Sequence, residues 1–461
     1  MQYIIDSLQN GEKMPVSEHE ALIYEAGLEL VEDYEIFFDH ENLIPTDESM
    51  AQNVYEAAID LLETVGFYSV DTKKVINISR EQIIRSTQNT RNYLNLGEGI
   101  DKFSLSIRND SGTKLPLIMG GPNASPVTTE LYTPIHRSYA KFKDIGALAP
   151  ASLDASDSIL SNKGPVNLFH ARQAVELVKQ ACALEGRPDL CIVTPPHIED
   201  PIAAVSVANP RFMGSGDLQE IIPHLDLKVN FDELSRVYHY RMTGSNYLCS
   251  PMVLLGGITT SSPEQSSIEM VAEALKAQVI YDPSAFVKYP TQVETASPGR
   301  SLEMLWASFL ASMALSQNKV CLHGSVVSNS AGPCTEMMMY ETAVQTIGYV
   351  ACGCDIISGP VSNHGSIPDH VAGLDAHFMA EVARFAIDLS KKDANYLCLE
   401  LFSKYQDMIS HPDIGKSFVD CYDLDKIEPT SEYMEIYEKA IDEIHQTMHQ
   451  KYVRGSRRIR R

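Results

Sequence analysis

Apolar residues fall into two patterns along the chain. Over the first hundred residues the spacing is helical. Ser17-Glu18-His19-Glu20 has the spacing of a capping box, in which hydroxyl and carboxylate cover opposite backbone amides. A second helix is predicted from Thr46, with Met50, Val54, Ala57, Leu61 and Val65 on one face and Gly66 as its left-handed stop. From about residue 115, short apolar runs alternate with amphipathic helices. Leu115 to Met119 ends in Gly120-Gly121-Pro122. A helix after Gly164-Pro165 carries Leu168, Ala171, Val175, Val178 and Cys182, and stops at Gly186. The run Leu190 to Val193 is closed by Thr194-Pro195-Pro196. Ser262-Pro263-Glu264-Gln265 opens another helix, with Ser as N-cap and Pro at the first position, and Ile268, Val271, Ala272 and Leu275 on its buried face. The run Val279 to Tyr281 is the next strand candidate. Leu302, Leu305, Phe309 and Met313 mark a helix leading into Val320-Cys321-Leu322, and a helix after Pro333 leads to Cys354-Asp355-Ile356-Ile357.

Continuous apolar runs suit parallel strands buried on both faces, joined by right-handed helical crossovers. The expected class is α/β: a (β/α)8 TIM-type barrel with helical N- and C-terminal extensions. A doubly wound open sheet is the alternative. The boundaries read as a helical extension over 1–114, a barrel over 115–375, docked helices over 376–450 and a basic tail over 451–461, expected to be disordered.

Charge narrows the function classes. The 461 residues carry a net −24, although the segment after residue 450 holds six basic residues and no acidic one. Such acidity argues against general binding to nucleic acid or an anionic membrane, which needs clustered Lys and Arg. No secretory signal is visible at Met1-Gln2-Tyr3-Ile4-Ile5-Asp6, and the apolar stretch near Trp306 to Leu315 is far short of the ~20 residues of a span. Nine cysteines, an odd number scattered through apolar segments, suit reduced thiols in a cytoplasmic protein.

Barrel chemistry gathers at the C-terminal ends of strands. That rule selects Gly120 and Asn123, Val193 and Thr194, Tyr281 and Asp282, His323, and Ser358. No catalytic triad, nucleophile elbow, Walker loop or dinucleotide fingerprint is present. Cys352-Gly353-Cys354 lacks a partner pair, so these thiols and the nearby His364 and His370 read as ordinary buried thiols and loop histidines, and no metal is expected. Lys288 has two readings, a Schiff-base lysine or a strand-end lysine reaching water, with the second favoured. Glu264 also has two: a first-turn carboxylate meeting the helix dipole, or a contact for a substrate.

Several blocks are distinctive: Ala331-Gly332-Pro333-Cys334-Thr335-Glu336-Met337, Gly415-Lys416-Ser417-Phe418 with Cys421-Tyr422-Asp423, Pro429-Thr430 with Glu432-Tyr433-Met434, and Glu381-Val382-Ala383-Arg384. Near the start stand Ile44-Pro45-Thr46-Asp47, Gly66-Phe67-Tyr68 with Asp71-Thr72, Gly120-Gly121-Pro122 and Ser125-Pro126. Together these blocks resemble the monomethylamine:corrinoid methyltransferase family of methanogens, and the similarity runs in order over about residues 35 to 440. The resemblance implies a barrel whose mouth receives a partner corrinoid protein, which takes a methyl group on cobalt. The chain alone would bind no cofactor. A cytoplasmic homo-oligomer, a hexamer, is implied as well.

Members of that family carry pyrrolysine just after a Gly-Arg-Pro segment. Here Gly186-Arg187-Pro188 is followed by an unbroken chain, with Val193 at the pyrrolysine position. Val326 and Ser328 stand for the family's nearby Gln and Tyr, while Glu264 is taken as the surviving acid. The resemblance thus gives Glu264 a catalytic role and Val193 a place in the site without catalysis of its own. Thr194, Tyr247, Tyr281, His323, Val326 and Ser328 are expected around the substrate, and Gly120, Asn123 and Glu336 toward the corrinoid. A Val cannot capture methylamine, so an already activated donor such as a quaternary ammonium or sulfonium is expected, with Tyr247 or Tyr281 offering an aromatic face. The alternatives are a non-catalytic barrel that binds the corrinoid protein or a methylated ligand, and a Schiff-base lyase using Lys288.

Overall fold

The computed structural model describes residues 2–88, 90–108, 114–153, 165–195, 201–293 and 301–459. Eight parallel strands form the centre: β1 (Leu117–Gly120), β2 (Ala147–Leu148), β3 (Cys191–Ile192), β4 (Leu218–Ile221), β5 (Asn246–Cys249), β6 (Ala285–Gln292), β7 (His323–Ser328) and β8 (Ile356–Val361). Each pairs with the next in the chain, and β8 pairs with β1. A parallel bridge between Val193 and Leu218 joins β3 to β4 and closes the ring.

A helix follows every strand: α1 (Thr129–Ala140), α2 (Pro165–Leu184), α3 (Pro201–Val207), α4 (Phe231–Thr243), α5 (Pro263–Lys276), α6 (Leu302–Gln317), α7 (Glu336–Ala351) and α8 (Gly373–Ala386). The expected (β/α)8 barrel is present. Among the described residues no helix is long and apolar enough to cross a membrane.

Period-two alternation sorts each strand into an inward and an outward set. Leu117, Ala147, Cys191, Leu218, Leu248, Ala285, Leu322 and Ile356 form one cluster inside the ring, at the N-terminal ends of the strands. Leu94, Leu96 and Leu105, from the hairpin Tyr93–Leu96 and Phe103–Ser106, belong to the same cluster and stopper that end. Outward residues such as Ile118, Ile221 and Phe286 pack under the helices. Outside this ring, the helix Glu48–Val65 lies on α5 and α6, while Lys391–Phe402 and Ser431–Ile459 lie on α7. The basic end, expected as a disordered tail, continues the last helix to Ile459.

One expected strand is not a strand. Val279 to Tyr281 falls in a π-helical turn, Ala277–Tyr281, that extends α5 until Asp282 ends it in the left-handed region. The β-branched pair Val279-Ile280 fits either conformation. β6 starts only at Ala285, on a stretch whose lysine and tyrosine break the apolar run.

Candidate functional site

A cavity of about 370 Å³ opens at the C-terminal ends of the strands. Its apolar surface comes from inward positions one layer above the stoppered end: Met119 on β1, Val193 just beyond β3, Val287 on β6 and Val326 on β7. Polar residues stand on two sides. Glu220 on β4 and Ser250 just beyond β5 make one group. Tyr289 and Gln292 on β6, Ser328 at the end of β7 and His364 after β8 make the other, with Asn123 and Ser358 beside them.

Glu220 is the only carboxylate among the described lining residues, and none of these is a Lys or Arg. Enclosure in the barrel raises its pKa above the ordinary carboxylate range, against the opposing pull of a hydrogen bond with Ser250 and of the Arg236 charge. On the facing wall, Ser328 Oγ lies 3.3 Å from Tyr289 Oη and 3.0 Å from His364 Nδ1. Asn123 Nδ2 reaches Ser358 Oγ at 3.4 Å. Gln292 Oε1 is buried without a hydrogen-bond partner among the described residues.

The loops that bring Asn123 and His364 to the cavity are strained. Asn123 and Ala124 have φ of 47° and 72°, and Asn363 and His364 have 49° and 50°. Consecutive left-handed residues with side chains persist only where the surroundings hold them. The second pair is held by its backbone amides, which donate to Ala331 O (3.1 Å) and Asn329 O (3.0 Å). Asn363 Nδ2 also donates to Ile414 O at 3.2 Å.

Five of the residues singled out from sequence meet here: Asn123, Val193, Val326, Ser328 and Ser358. The rest lie elsewhere. Gly120 alternates outward, where a Cβ would stand 2.9 Å from Ile145 and 3.2 Å from Ala376. Thr194 also faces the helices and donates to Gln219 Oε1 at 2.8 Å. Tyr247 and Tyr281 meet each other at the opposite end of the ring, because the first begins β5 and the second precedes β6. Tyr247 Oη donates to Tyr281 O (2.6 Å), and Tyr281 Oη donates to Glu233 Oε2 (2.6 Å). His323 begins β7, so it too sits at the stoppered end, its backbone amide bonded to Asp355 Oδ2 at 3.0 Å. Burial pushes its imidazole down to about 3, so the contact with Asp355 is no ion pair at neutral pH.

Glu264 stands at the start of α5 but outside the cavity lining, where its Oε1 accepts from the Phe38 amide at 2.9 Å. Glu336 is exposed at the start of α7 and pairs with Lys439 of the last helix at 2.6 Å. Lys288 fits neither of its readings. It is 1% exposed, points outward between β6 and the helices, donates to Ser312 Oγ and lies 5.3 Å from the Tyr349 ring centre. Cys352 and Cys354 are buried free thiols, and no group of His, Cys, Asp or Glu among the described residues is placed to hold a metal ion.

Glu220, Ser250, Tyr289, Gln292 and His364 were not legible as site residues. The first three follow the inward Leu218, Leu248 and Val287 by two positions, so the strand register would have exposed them.

Comparison with known proteins agrees with this architecture. A family model described as monomethylamine methyltransferase MtmB matches residues 2–448. The chain is 28% identical over 417 residues to monomethylamine methyltransferase MtmB of Methanosarcina mazei, covering 90% of each protein. It is 28% identical over 424 residues to MtmB1 of Methanosarcina acetivorans, again covering 90% of each. The crystal structure of the Methanosarcina barkeri monomethylamine methyltransferase superposes with a TM-score of 0.91 at 27% identity, covering 96% of this chain and 97% of that one. The structure titled as the hydroxylamine MtmB complex matches with the same values.

Proposed function

The chain belongs to the monomethylamine methyltransferase MtmB family, and on that premise we propose that it transfers the methyl group of a small methylated cation to a partner's corrinoid without pyrrolysine. The observation that carries this reading is the composition of the cavity: one carboxylate, no Lys or Arg among the described lining residues, and Val193 in its apolar surface. A hydrocarbon side chain at the position that the resemblance assigns to pyrrolysine forms no adduct with an amine. The donor must therefore arrive with a neutral leaving group already built in.

A methylated ammonium meets that need. Its C–N bond breaks with the electron pair staying on nitrogen, which departs as a neutral amine, and no proton has to move. The reduced cobalt of a corrinoid, brought by the partner, supplies the nucleophile that takes the methyl group. This chain's residues bind and orient. Glu220 offers negative potential at one wall, and a cation beside it favours the ionised carboxyl that burial opposes. Met119, Val193, Val287 and Val326 exclude water and leave the methyl group without competing hydrogen bonds.

The mouth suits such a partner. Ile222, Ile258 and Val293, which follow β4, β5 and β6, are 49%, 67% and 52% exposed around the opening. Apolar side chains left in water this way suit a protein surface that covers them. The enzyme so described would work in the cytoplasm as a homo-oligomer, a hexamer in keeping with the resemblance.

The test combines the purified chain, its cognate corrinoid protein in the reduced state, and methylammonium, tetramethylammonium or trimethylsulfonium. We expect the corrinoid spectrum to change on methylation with an activated donor, and Glu220→Gln to slow that change at least tenfold. No change with any donor, despite tight binding of the corrinoid protein, would favour a non-catalytic barrel.

A further inference from the structure

We propose that the donor carries, besides its methylated cationic nitrogen, an uncharged hydroxyl-bearing arm that reaches the wall formed by Tyr289, Gln292, Ser328 and His364. This rests on reading the cavity as the methyl-donor site and names the class of donor that fits it.

The polar groups are arranged across the ring. Glu220 belongs to β4, whereas Ser328 ends β7 and His364 follows β8. In a closed ring of eight strands, β4 and β8 are diametrically opposed. A ligand held at Glu220 alone would leave the second wall to water. The cavity would hold about a dozen waters at roughly 30 Å³ each. Methylammonium, with two heavy atoms, would displace few of them.

The second wall is a hydrogen-bonding surface without a Lys or Arg among the described lining residues. Tyr289 Oη, Ser328 Oγ and His364 Nδ1 form a chain with links of 3.3 and 3.0 Å. Gln292 lines the same cavity, its Oε1 buried and without a hydrogen-bond partner among the described residues. A carboxylate arm would find no Lys or Arg among the described lining residues, and a buried charge without a partner is costly. A hydroxyl both donates and accepts. Its oxygen can join the Tyr289 end of the chain, as donor or as acceptor. The strained Asn363-His364 pair, held by Asn329 and Ala331, fixes the far end of that chain.

Isothermal titration of the full chain separates the possibilities without any corrinoid. The ligands are choline, tetramethylammonium, trimethylglycine and methylammonium, titrated into wild type, Tyr289→Phe and Glu220→Gln, each checked for an unchanged melting temperature. We expect choline to bind at least tenfold tighter than tetramethylammonium. Tyr289→Phe should remove at least threefold of that advantage and leave tetramethylammonium unchanged, while Glu220→Gln weakens both. Equal binding of choline and tetramethylammonium, or tightest binding of trimethylglycine, overturns the hydroxyl arm and leaves the cation site standing. If none of the cations binds wild type, the cation reading and the arm fall together.

Discussion

Glu269 is a carboxyl group that the barrel buries and satisfies only in part. It lies on α5, 2% exposed, with no hydrogen-bond partner for Oε2 among the described residues. Burial and the neighbouring Asp226 and Glu273 raise its pKa to about 8, against a hydrogen bond from Thr259 and the Lys276 charge. A carboxyl whose pKa is higher in the folded state gives stability that is complete below its unfolded value, near 4.5, and is lost as pH rises toward 8. Glu269→Gln should thus leave the melting temperature at pH 4 nearly unchanged and raise it at pH 8.5, where the substitution stabilises the fold by on the order of a few kcal/mol. Equal effects at the two pH values in a thermal melt would contradict this. Val193 makes a different case. It is 2% exposed and faces the cavity, so Val193→Ala should cost about 1–3 kcal/mol and alter donor affinity while the fold stands. Denaturant unfolding and calorimetric titration check both halves. Val193, Val326 and Ser328 were legible from the resemblance. Glu220 was not, because one polar residue among Leu218, Gln219 and Ile221 shows its direction only once the register is known.

At the scale of elements, Glu264 joins two parts of the fold. Its Oε1 ties the start of α5 to the Phe38 amide of the N-terminal extension, and Ser262 caps the same helix through the Gln265 amide. Glu264→Ala should therefore lower stability by about 1–2 kcal/mol and leave donor affinity within twofold of wild type. A large loss of affinity with an unchanged melting temperature would restore Glu264 to the site. The hairpin that stoppers the barrel carries a larger share of stability: Leu105 is 1% exposed in the inner cluster, so Leu105→Ala should cost about 2–5 kcal/mol in denaturant unfolding. These elements differed in how far they could be read. The capping box expected at Ser17 lies inside the helix Val16–Asp33. α5 showed a cap and an apolar face, α6 and the helix Glu48–Val65 an apolar face, and α7 only a start after Pro333. The strands β2, β4 and β5 showed no such signal, since β2 has two residues and the others are broken by Gln219, Glu220 and Asn246. Missing that register also sent Tyr281 and His323 to the wrong end of the barrel. Both belong to the approach to a strand, not to its exit.

The whole molecule sets how a partner can dock. With a net charge of −24, long-range attraction would favour a basic partner and fade as salt rises. The mouth offers another basis for contact. Ile222, Ile258 and Val293 stand exposed around the opening, and Phe169 and Ile202, in the first turns of α2 and α3, are each 64% exposed. α2 and α3 begin at the mouth because each helix starts where its strand ends. Burial of such side chains is insensitive to ionic strength, whereas exposed ion pairs are screened. We therefore expect capture of the cognate corrinoid protein to change less than about threefold between roughly 50 and 300 mM salt. The double substitution Ile258→Asp with Val293→Asp should weaken it at least tenfold at an unchanged melting temperature. Titration of the corrinoid protein onto immobilised chain reads both effects. Capture that collapses with salt, or that tolerates the two aspartates, would move the docking face away from the mouth. The methyl group could not then pass directly from this cavity to the partner's cobalt.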